Sequence, residues 1–312
     1  MRSNTWRRPL TVGRETLLVS LSTPATNGAP GIRHRLGTTL VEVEPAGPYL
    51  HRPGAPLCAH IDYIGYWRHD GDVPHLSTAL PRGAVTVVLE LSGRDKVPFA
   101  PVGSAPVQTP SAFVTGAGTT SYVTRVDPGQ TVMTVHFRPA GARSFLGIPL
   151  SELQDRCIGI DDVWGTQGRI LRERLIETPS AAARLGLLER FFLDCMQLRD
   201  HPLGALLPHL EAKPSMTVAE AAALMGVSPK RLTTMFNSDV GLSPKTYLRL
   251  RRLQAALRRL DDGTQLGAEI AADLGYFDQA HFVRDFRSFA AITPSQYPRR
   301  RSSLPSHLDV VT

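Results

Sequence analysis

Hydrogen-bonding side chains recur at helical spacing near the C-terminal end of this 312-residue sequence. Lys230, Thr233, Thr234 and Asn237 fall three or four positions apart, and some fifty residues on Gln279, Arg284 and Arg287 form a similar set around the apolar Val283. On an α-helix such spacing gathers each set on one face. Guanidinium, amide and hydroxyl groups presented together suit the base edges of a DNA major groove: Arg forks onto guanine, Gln pairs with adenine, and Thr serves as donor or acceptor. The same pattern also fits a merely solvated surface, so the choice turns on what lies behind each helix.

Other chemically capable residues are less organised. His51, His60, His69 and His75 share one stretch, but no HxH or HExxH spacing gathers them as metal ligands, and no GxSxG motif or phosphate-binding loop is present. They read as surface or loop histidines. Cys58, Cys157 and Cys195 are odd in number and widely spaced, which suits neither a disulfide framework nor a paired-cysteine zinc site, and they read as buried thiols. The expectation is no catalytic residue, no metal and no cofactor. Its rival is an enzyme acting on a small molecule through an N-terminal β domain, with the helical part as an appendage.

A repeated unit positions the two polar faces. The phrase LSPKTY (Leu242 to Tyr247) returns as ITPSQY (Ile292 to Tyr297). The residues before it match as well: Ala222, Leu224 and Gly226 answer to Ala271, Asp273 and Gly275, then Ser228, Leu232 and Phe236 to Asp278, Phe282 and Phe286. Each unit reads as helix, tight turn, helix. Thr217 with Glu220 forms a capping box, and Gly226 ends that helix. Ser228 caps the next, with Pro229 at the first helical position, where its missing N–H costs nothing. Val227 with Leu232, and Phe277 with Phe282 around the cap Asp278, sit where a hydrophobic staple fixes the entry angle. Leu232 with Phe236 and Phe282 with Phe286 form apolar faces behind the polar ones. Two such units in tandem favour base reading over plain solvation.

Between the units, Pro244 to Leu260 reads as a helix with an apolar seam at Leu250, Leu253, Leu257 and Leu260. Lys245, Arg249, Arg251, Arg252, Arg258 and Arg259 occupy its other faces. At ~1.5 Å per residue it spans roughly 25 Å, suited to holding two readers about one duplex turn (~34 Å) apart once their own width is added. The Arg residues have two readings, phosphate contact or charge pairing with Asp261, Asp262 or the other domain.

Residues 203–300 resemble the DNA-binding domain of the AraC/XylS family of bacterial transcription regulators. The stretches AEAAALMGVSPKRLTTMFNSDVGLSPKTYLRLRRLQAA and AEIAADLGYFDQAHFVRDFRSFAAITPSQYPR carry the likeness in order and spacing. It implies a seven-helix, two-lobed domain whose recognition helices enter successive major grooves. Lys230, Thr233, Thr234, Gln279, Ala280 and Arg284 would face bases; Thr217, Arg231, Asn237, Lys245, His281 and Arg287 would face the backbone. Thr217 opens a helix whose free N–H groups suit an anion. Three positions depart from the family pattern. Ala290 stands where the family usually has Gly, as Gly241 does in the first unit, so a positive φ there would cost energy. Gly267 takes a usually apolar helix position and Leu266 a usual capping position, leaving that helix weakly specified.

Residues 1–200 have another texture. Runs at Thr38 to Glu44, Ala84 to Leu91, Ser121 to Val126 and Thr131 to Phe137, separated by Gly and Pro turns, suggest antiparallel strands. Helices follow; Leu185, Leu188, Phe192 and Cys195 form a stripe on one from about Ser180 to Leu198, facing either its own sheet or a second copy. The fold class is therefore α+β: an N-terminal antiparallel β sandwich or barrel-like domain with flanking helices, and a C-terminal all-α tandem helix-turn-helix domain. The expected layout is an N-terminal extension and first strand (1–44), a regulatory domain for effector binding or dimerisation (45–200), the AraC-type domain (203–301) and a C-terminal tail (302–312). Segments such as LPRGAVTVVLEL and DDVWG also resemble an N-terminal domain of one subgroup of that family. Tyr66, Trp67, Phe113, Tyr122 and His136 are candidates to line an effector pocket, although core packing also suits aromatic residues.

Charge agrees with a polyanion partner. Residues 211–301 hold 14 Lys/Arg against 9 Asp/Glu, most of the chain's formal +7. The expected partners are double-stranded DNA, a small-molecule effector, a second copy of the chain, and RNA polymerase if the protein activates transcription. The start MRSNTWRRPL lacks the apolar stretch of a secretory signal and no run of about 18 apolar residues exists, so a cytoplasmic protein without membrane contact is expected.

Overall fold

The computed structural model describes residues 48–197, 199, 201–263 and 267–310, together with the backbone of four short strands nearer the N-terminus. Leu10–Val12 (β1) pairs with Glu15–Leu17 (β2), and Ile32–Leu36 (β3) with Thr39–Val43 (β4), the strand expected at Thr38 to Glu44. The first hairpin lies in a compact unit of its own, Met1–Pro30; the rest of the chain, Gly31–Thr312, forms a second.

In the second unit the alternating runs build two antiparallel sheets. One has six strands, in the order Cys157–Gly159 (β14), Ala112–Thr115 (β11), Thr86–Glu90 (β8), Thr131–Phe137 (β13), Ile61–Arg68 (β6) and Tyr49–His51 (β5). The other has five, in the order Val107–Pro110 (β10), Lys96–Pro101 (β9), Tyr122–Val126 (β12), His75–Ala79 (β7) and His307–Asp309 (β15). Because strand side chains alternate, each strand of the larger sheet serves two layers. Val87, Leu89, Met133, Val135 and Phe137 pack into a core with the helices, while Thr86, Val88, Val132, Thr134 and His136 line a cavity shared with the second sheet.

Three helices cover the outer face: Ile160–Trp164 (α1), Thr166–Glu177 (α2) and Ala181–Cys195 (α3). Ser180 caps α3 through the Ala183 N–H. Leu185, Leu188 and Phe192 are buried against the chain's own sheet rather than against a second copy. Phe192 is the hub, with Phe137, Phe145 and Trp164 ringed around it edge-on at 5.4 to 6.0 Å. Truncating such a residue to Ala costs about 3–5 kcal/mol.

The C-terminal part contains Leu206–Ala212 (α4), Val218–Leu224 (α5), Pro229–Asp239 (α6), Pro244–Asp262 (α7), Gly267–Asp273 (α8) and Gln279–Ala290 (α9). In place of the seventh helix the family likeness implied, Tyr297–Arg299 makes a 3-10 turn. Pro298 explains the difference: it lacks the N–H for an α-helical bond to Pro294, and its ring would crowd that carbonyl. The first phrase has no such Pro, so Ser243 caps and Pro244 launches the full length of α7.

The two parts share a core. Leu80, Ala117 and Ala140 from the β-rich part pack with the helices of the C-terminal part. Ser121 Oγ donates to the Phe289 carbonyl at 2.5 Å, Gln254 Nε2 donates to Pro81 O at 3.0 Å, and the Arg251 guanidinium donates to Arg82 O. Residues 302–310, expected as a tail, instead return to the N-terminal part, where β15 pairs with β7.

Candidate nucleic-acid interface

The two helix-turn-helix units close with the same bonds. Gly226 and Gly275 adopt φ of 64° and 73°, a left-handed geometry open to glycine without a Cβ penalty. Val227 N–H bonds Ala222 O and Gly226 N–H bonds Ala223 O; Tyr276 to Ala271 and Gly275 to Ala272 repeat this forty-nine residues on. Both recognition helices are capped as their sequences require. Ser228 accepts from the Arg231 N–H at 3.2 Å, and Asp278 from the His281 N–H at 2.6 Å. Val227 packs on the core, consistent with the first staple. The second staple does not form, because Phe277 is 94% exposed. Tyr276 takes the apolar place instead, 5.3 Å from Phe282, with its hydroxyl donating to Asp285 Oδ2 at 3.1 Å.

Leu232, Phe236, Phe282 and Phe286 are buried, and the opposite faces are free. Lys230, Thr234, Gln279, Ala280 and Arg284 are exposed and Thr233 is half-buried. Thr233 and Thr234 donate their hydroxyl protons to the carbonyls of Pro229 and Lys230, at 2.9 and 3.2 Å. Each oxygen therefore faces outward as an acceptor beside a methyl group, suited to an exocyclic amine or a thymine methyl. His281 is half-buried with its ring edge-on to Tyr276 at 5.2 Å, which gives it a packing role.

Cations separate into two classes. Among the described residues, Lys230, Arg231, Lys245, Arg284 and Arg287 form no side-chain ion pair or hydrogen bond, and Asn237 beside them is exposed. The Arg residues of α7 mostly form ion pairs, but with partners inside the C-terminal part other than the expected Asp261 and Asp262. Arg249 pairs with buried Asp285 at 2.5 Å, Arg251 with Glu211 at 3.4 Å and Arg259 with Asp273 at 3.3 Å. Arg252 lies over the Tyr276 ring at 4.9 Å, and Arg258 alone of the set is exposed without an ion pair. Phosphate contact through Arg249, Arg251 and Arg259 is thus replaced by contacts that hold the lobes together.

Thr217 also departs from expectation. Its N–H donates to Glu220 Oε2 at 2.7 Å and its Oγ accepts from the Glu220 N–H, so a carboxylate already occupies the helix start offered to an anion. Thr217 and Lys213 hold Glu220 below the ordinary carboxylate range. The strained position after the second recognition helix is Ala291, with φ of 58°, and not Ala290, which is helical and buried. At an offset of fifty Ala291 is the true counterpart of Gly241, whose φ is 87°. Gly267 begins α8, and Leu266 lies outside the described residues.

In the N-terminal part, Tyr66, Trp67, Phe113, Tyr122 and His136 all border one cavity of about 150 Å³ between the sheets. Tyr66 belongs mainly to the opposite layer, where its hydroxyl accepts from Arg184 of α3 at 3.2 Å. His136 stacks on Tyr63 at 4.3 Å, with its nitrogens 3.4 Å from Thr86 Oγ1 and 3.0 Å from Thr134 Oγ1. Burial, aided by Arg82 and His307, pushes it well below the ordinary imidazole range. Leu304, Pro305 and His307 also line this cavity, though no periodicity or spacing in the sequence linked that segment to the sheets.

The scattered histidines and cysteines form no site. Among the described residues no group of three His, Cys, Asp or Glu could hold a metal. His51 meets Glu189 at 2.9 Å, and His60 is tucked against Phe145 instead of standing free. Cys58 is exposed, not buried; Cys157 and Cys195 are half-buried, and burial pushes the Cys157 thiol up to about 11, where it stays protonated.

The site is thus a tandem pair of capped helix-turn-helix units with exposed polar faces. Residues 221–300 match the family described as a helix-turn-helix domain, and residues 49–159 match a domain of unknown function (DUF6597). The XylDLEGF operon transcriptional activator 3 of Pseudomonas putida is 35% identical over 92 residues, 28% of this chain and 28% of that one. An uncharacterized HTH-type transcriptional regulator of Haemophilus influenzae is 29% identical over 150 residues, 47% of this chain and 49% of that one. A solved structure of ToxT from Vibrio cholerae aligns over 75% of this chain and 96% of its own, at 10% identity and a TM-score of 0.42. The chain thus spans half or less of the length of these curated relatives. Residues 221–300 thus form a helix-turn-helix domain similar to those of these AraC-like regulators.

Proposed function

We propose that the chain is a sequence-specific transcription regulator. Residues 203–301 read duplex DNA, and residues 45–200 sense a small molecule in the intersheet cavity or join two copies of the chain. The observation that carries this reading is the division of cations: those on and beside the recognition faces are free, whereas most on the connecting helix are paired inside the domain. Free Lys and Arg supply salt-dependent phosphate binding, and a few base contacts supply specificity. Lys230, Thr233, Thr234, Gln279, Ala280 and Arg284 are assigned to bases; Arg231, Asn237, Lys245 and Arg287 are assigned to the backbone. Effector occupancy would shift the population of arrangements in which both readers engage DNA. The relatives named as an operon activator and as a regulator support this class, with RNA polymerase as the partner if this chain activates. Among the described residues no helix is long and apolar enough to cross a membrane.

Selection of bound duplexes from a random library by the full chain tests the reading. Arg284→Ala should then weaken the selected site by about 1–3 kcal/mol and relax one base pair. Equal weakening on all sequences would reassign Arg284 to phosphate, and failure to enrich any sequence would refute specific DNA reading.

A further inference from the structure

The segment that follows the reader in the chain forms a wall of the domain that precedes it. In β15, His307 lies opposite Ala79, Leu308 opposite Thr78 and Asp309 opposite Ser77 of β7, and Leu308 is buried. Leu304, Pro305 and His307 border the cavity between the sheets. The same segment grips the longest helix of the reader: Ser306 Oγ donates to Gln254 Oε1 at 3.0 Å, and the Ser306 carbonyl accepts the Leu80 N–H at 2.8 Å. Gln254 Nε2 in turn donates to Pro81 O. One glutamine of α7 therefore holds both the returning strand and the turn beside it.

The chemistry of the cavity limits its occupant. Its volume of about 150 Å³ matches a single aromatic ring. The charged groups at its edge are already matched. Glu90 accepts the N–H groups of Ser92 and Arg94 at 2.8 and 3.1 Å with Arg172 at 3.7 Å, and Arg125 pairs with Asp127 at 2.6 Å. A charged ligand would lose its hydration without gaining a free counter-ion. The polar groups that remain are uncharged. Burial lowers both His136 and His307, with Arg82 nearby opposing their protonation. His307 Nδ1 lies 2.9 Å from Pro305 O, which only accepts, so Nδ1 carries the proton and Nε2 is left as an acceptor. Across the cavity the Tyr122 hydroxyl makes no hydrogen bond among the described residues.

Resting on the sensing role proposed above, we infer that the cavity takes a neutral single-ring molecule bearing an O–H or N–H donor, and that Ser302–Val310 is a latch which closes on it and reports its occupancy to the DNA reader through Gln254. A ring seated beside Leu304 and His307 adds contacts to β15 that the empty cavity lacks. Ordering that strand against β7 fixes Ser306, and with it α7.

Three ligands that share a phenol ring test the inference on the full-length chain: p-cresol, p-hydroxyphenylacetate and tyramine, followed by calorimetry and amide hydrogen exchange. Saturable binding of p-cresol is expected, with the anionic and cationic analogues at least about tenfold weaker. Exchange across residues 302–310 should slow with p-cresol. Leu304→Trp, which fills the cavity from the latch side, should weaken p-cresol at least about tenfold. Gln254→Ala should leave p-cresol affinity within about twofold while abolishing the ligand's effect on α7 exchange. Equal or tighter binding of a charged analogue overturns the ligand class, and it leaves sensing intact if Leu304→Trp blocks it. Unchanged exchange in residues 302–310, or in Leu304→Trp unchanged affinity, overturns the latch. If none of the three binds, the inference fails, while the regulator reading it rests on is judged separately by the duplex selection.

Discussion

Gly241→Ala should destabilise the chain far more than one methyl group suggests, because Gly241 ends the first recognition helix against the other domain. Its φ of 87° is a left-handed conformation that costs a residue with a Cβ roughly 1–2 kcal/mol. A Cβ built there would also lie 2.7 Å from the Leu150 carbonyl oxygen, 3.0 Å from its carbon and 3.2 Å from its Cβ. Two of these atoms are backbone in the 3-10 turn Leu150–Leu153, and Leu150 is itself fixed in the sheet-and-helix core. Relief requires that turn and α6 to separate, an overpacking cost of about 1–3 kcal/mol. The sum is about 2–5 kcal/mol, a large share of the stability of a typical domain. Urea unfolding of the full-length chain, followed by tryptophan fluorescence and far-ultraviolet circular dichroism, measures it. A loss below about 1 kcal/mol would refute the argument, since the left-handed term alone reaches that value.

Ala291→Gly should act in the opposite direction: φ is 58° and the residue is exposed, so removing its methyl relieves about 1 kcal/mol, read as a higher midpoint in the same urea experiment. Phe277→Ser should change stability by less than about 0.5 kcal/mol, since the ring is 94% exposed, yet weaken DNA binding severalfold in a titration by losing apolar contact to a thymine methyl or sugar. Acid should destabilise the fold from about pH 6.5 downward. Burial holds His136 well below its ordinary range and lowers His60, His75 and His307, so the unfolded chain binds more protons there and this stability is retained at higher pH. His136→Gln should make the dependence of unfolding free energy on pH shallower by up to about 1.4 kcal/mol per pH unit below pH 6.5, and an unchanged slope would show that His136 titrates freely.

The reader was legible because its determinants are local. Caps at Thr217, Ser228, Ser243 and Asp278 act within three residues, and Gly226 and Gly275 close turns by their own backbone freedom. Period-two alternation likewise announced β8, β12 and β13. What stayed hidden depends on distant partners. Whether Arg249 meets a phosphate or Asp285 is decided by a partner 36 positions away in the chain, and no spacing rule covers that. The second staple failed for another reason: Tyr276, not Phe277, takes the turn position of Val227, and the one extra residue before the cap Asp278 leaves Phe277 exposed. Three of the cavity's walls, Leu304, Pro305 and His307, lie beyond the reader in the chain.

That last displacement bears on how the protein is built. A sensor joined to a reader only through the stretch near residue 200 could leave the reader independent. This chain crosses back instead, so its β15 strand, the Ser121–Phe289, Gln254–Pro81 and Arg251–Arg82 bonds and the Gly241–Leu150 contact all fasten the C-terminal part to the β-rich part. Of these, β15 borders the cavity and Ser121 immediately precedes Tyr122, which lines it, whereas the Gly241 contact lies against the 3-10 turn on the helix side of the larger sheet. A ligand between the sheets would therefore bear directly on two of these attachments, while the Gly241 contact lies away from it. With that contact as a fixed point away from the cavity, loosening it by Gly241→Ala should weaken the response of DNA binding to p-cresol even where p-cresol itself still binds.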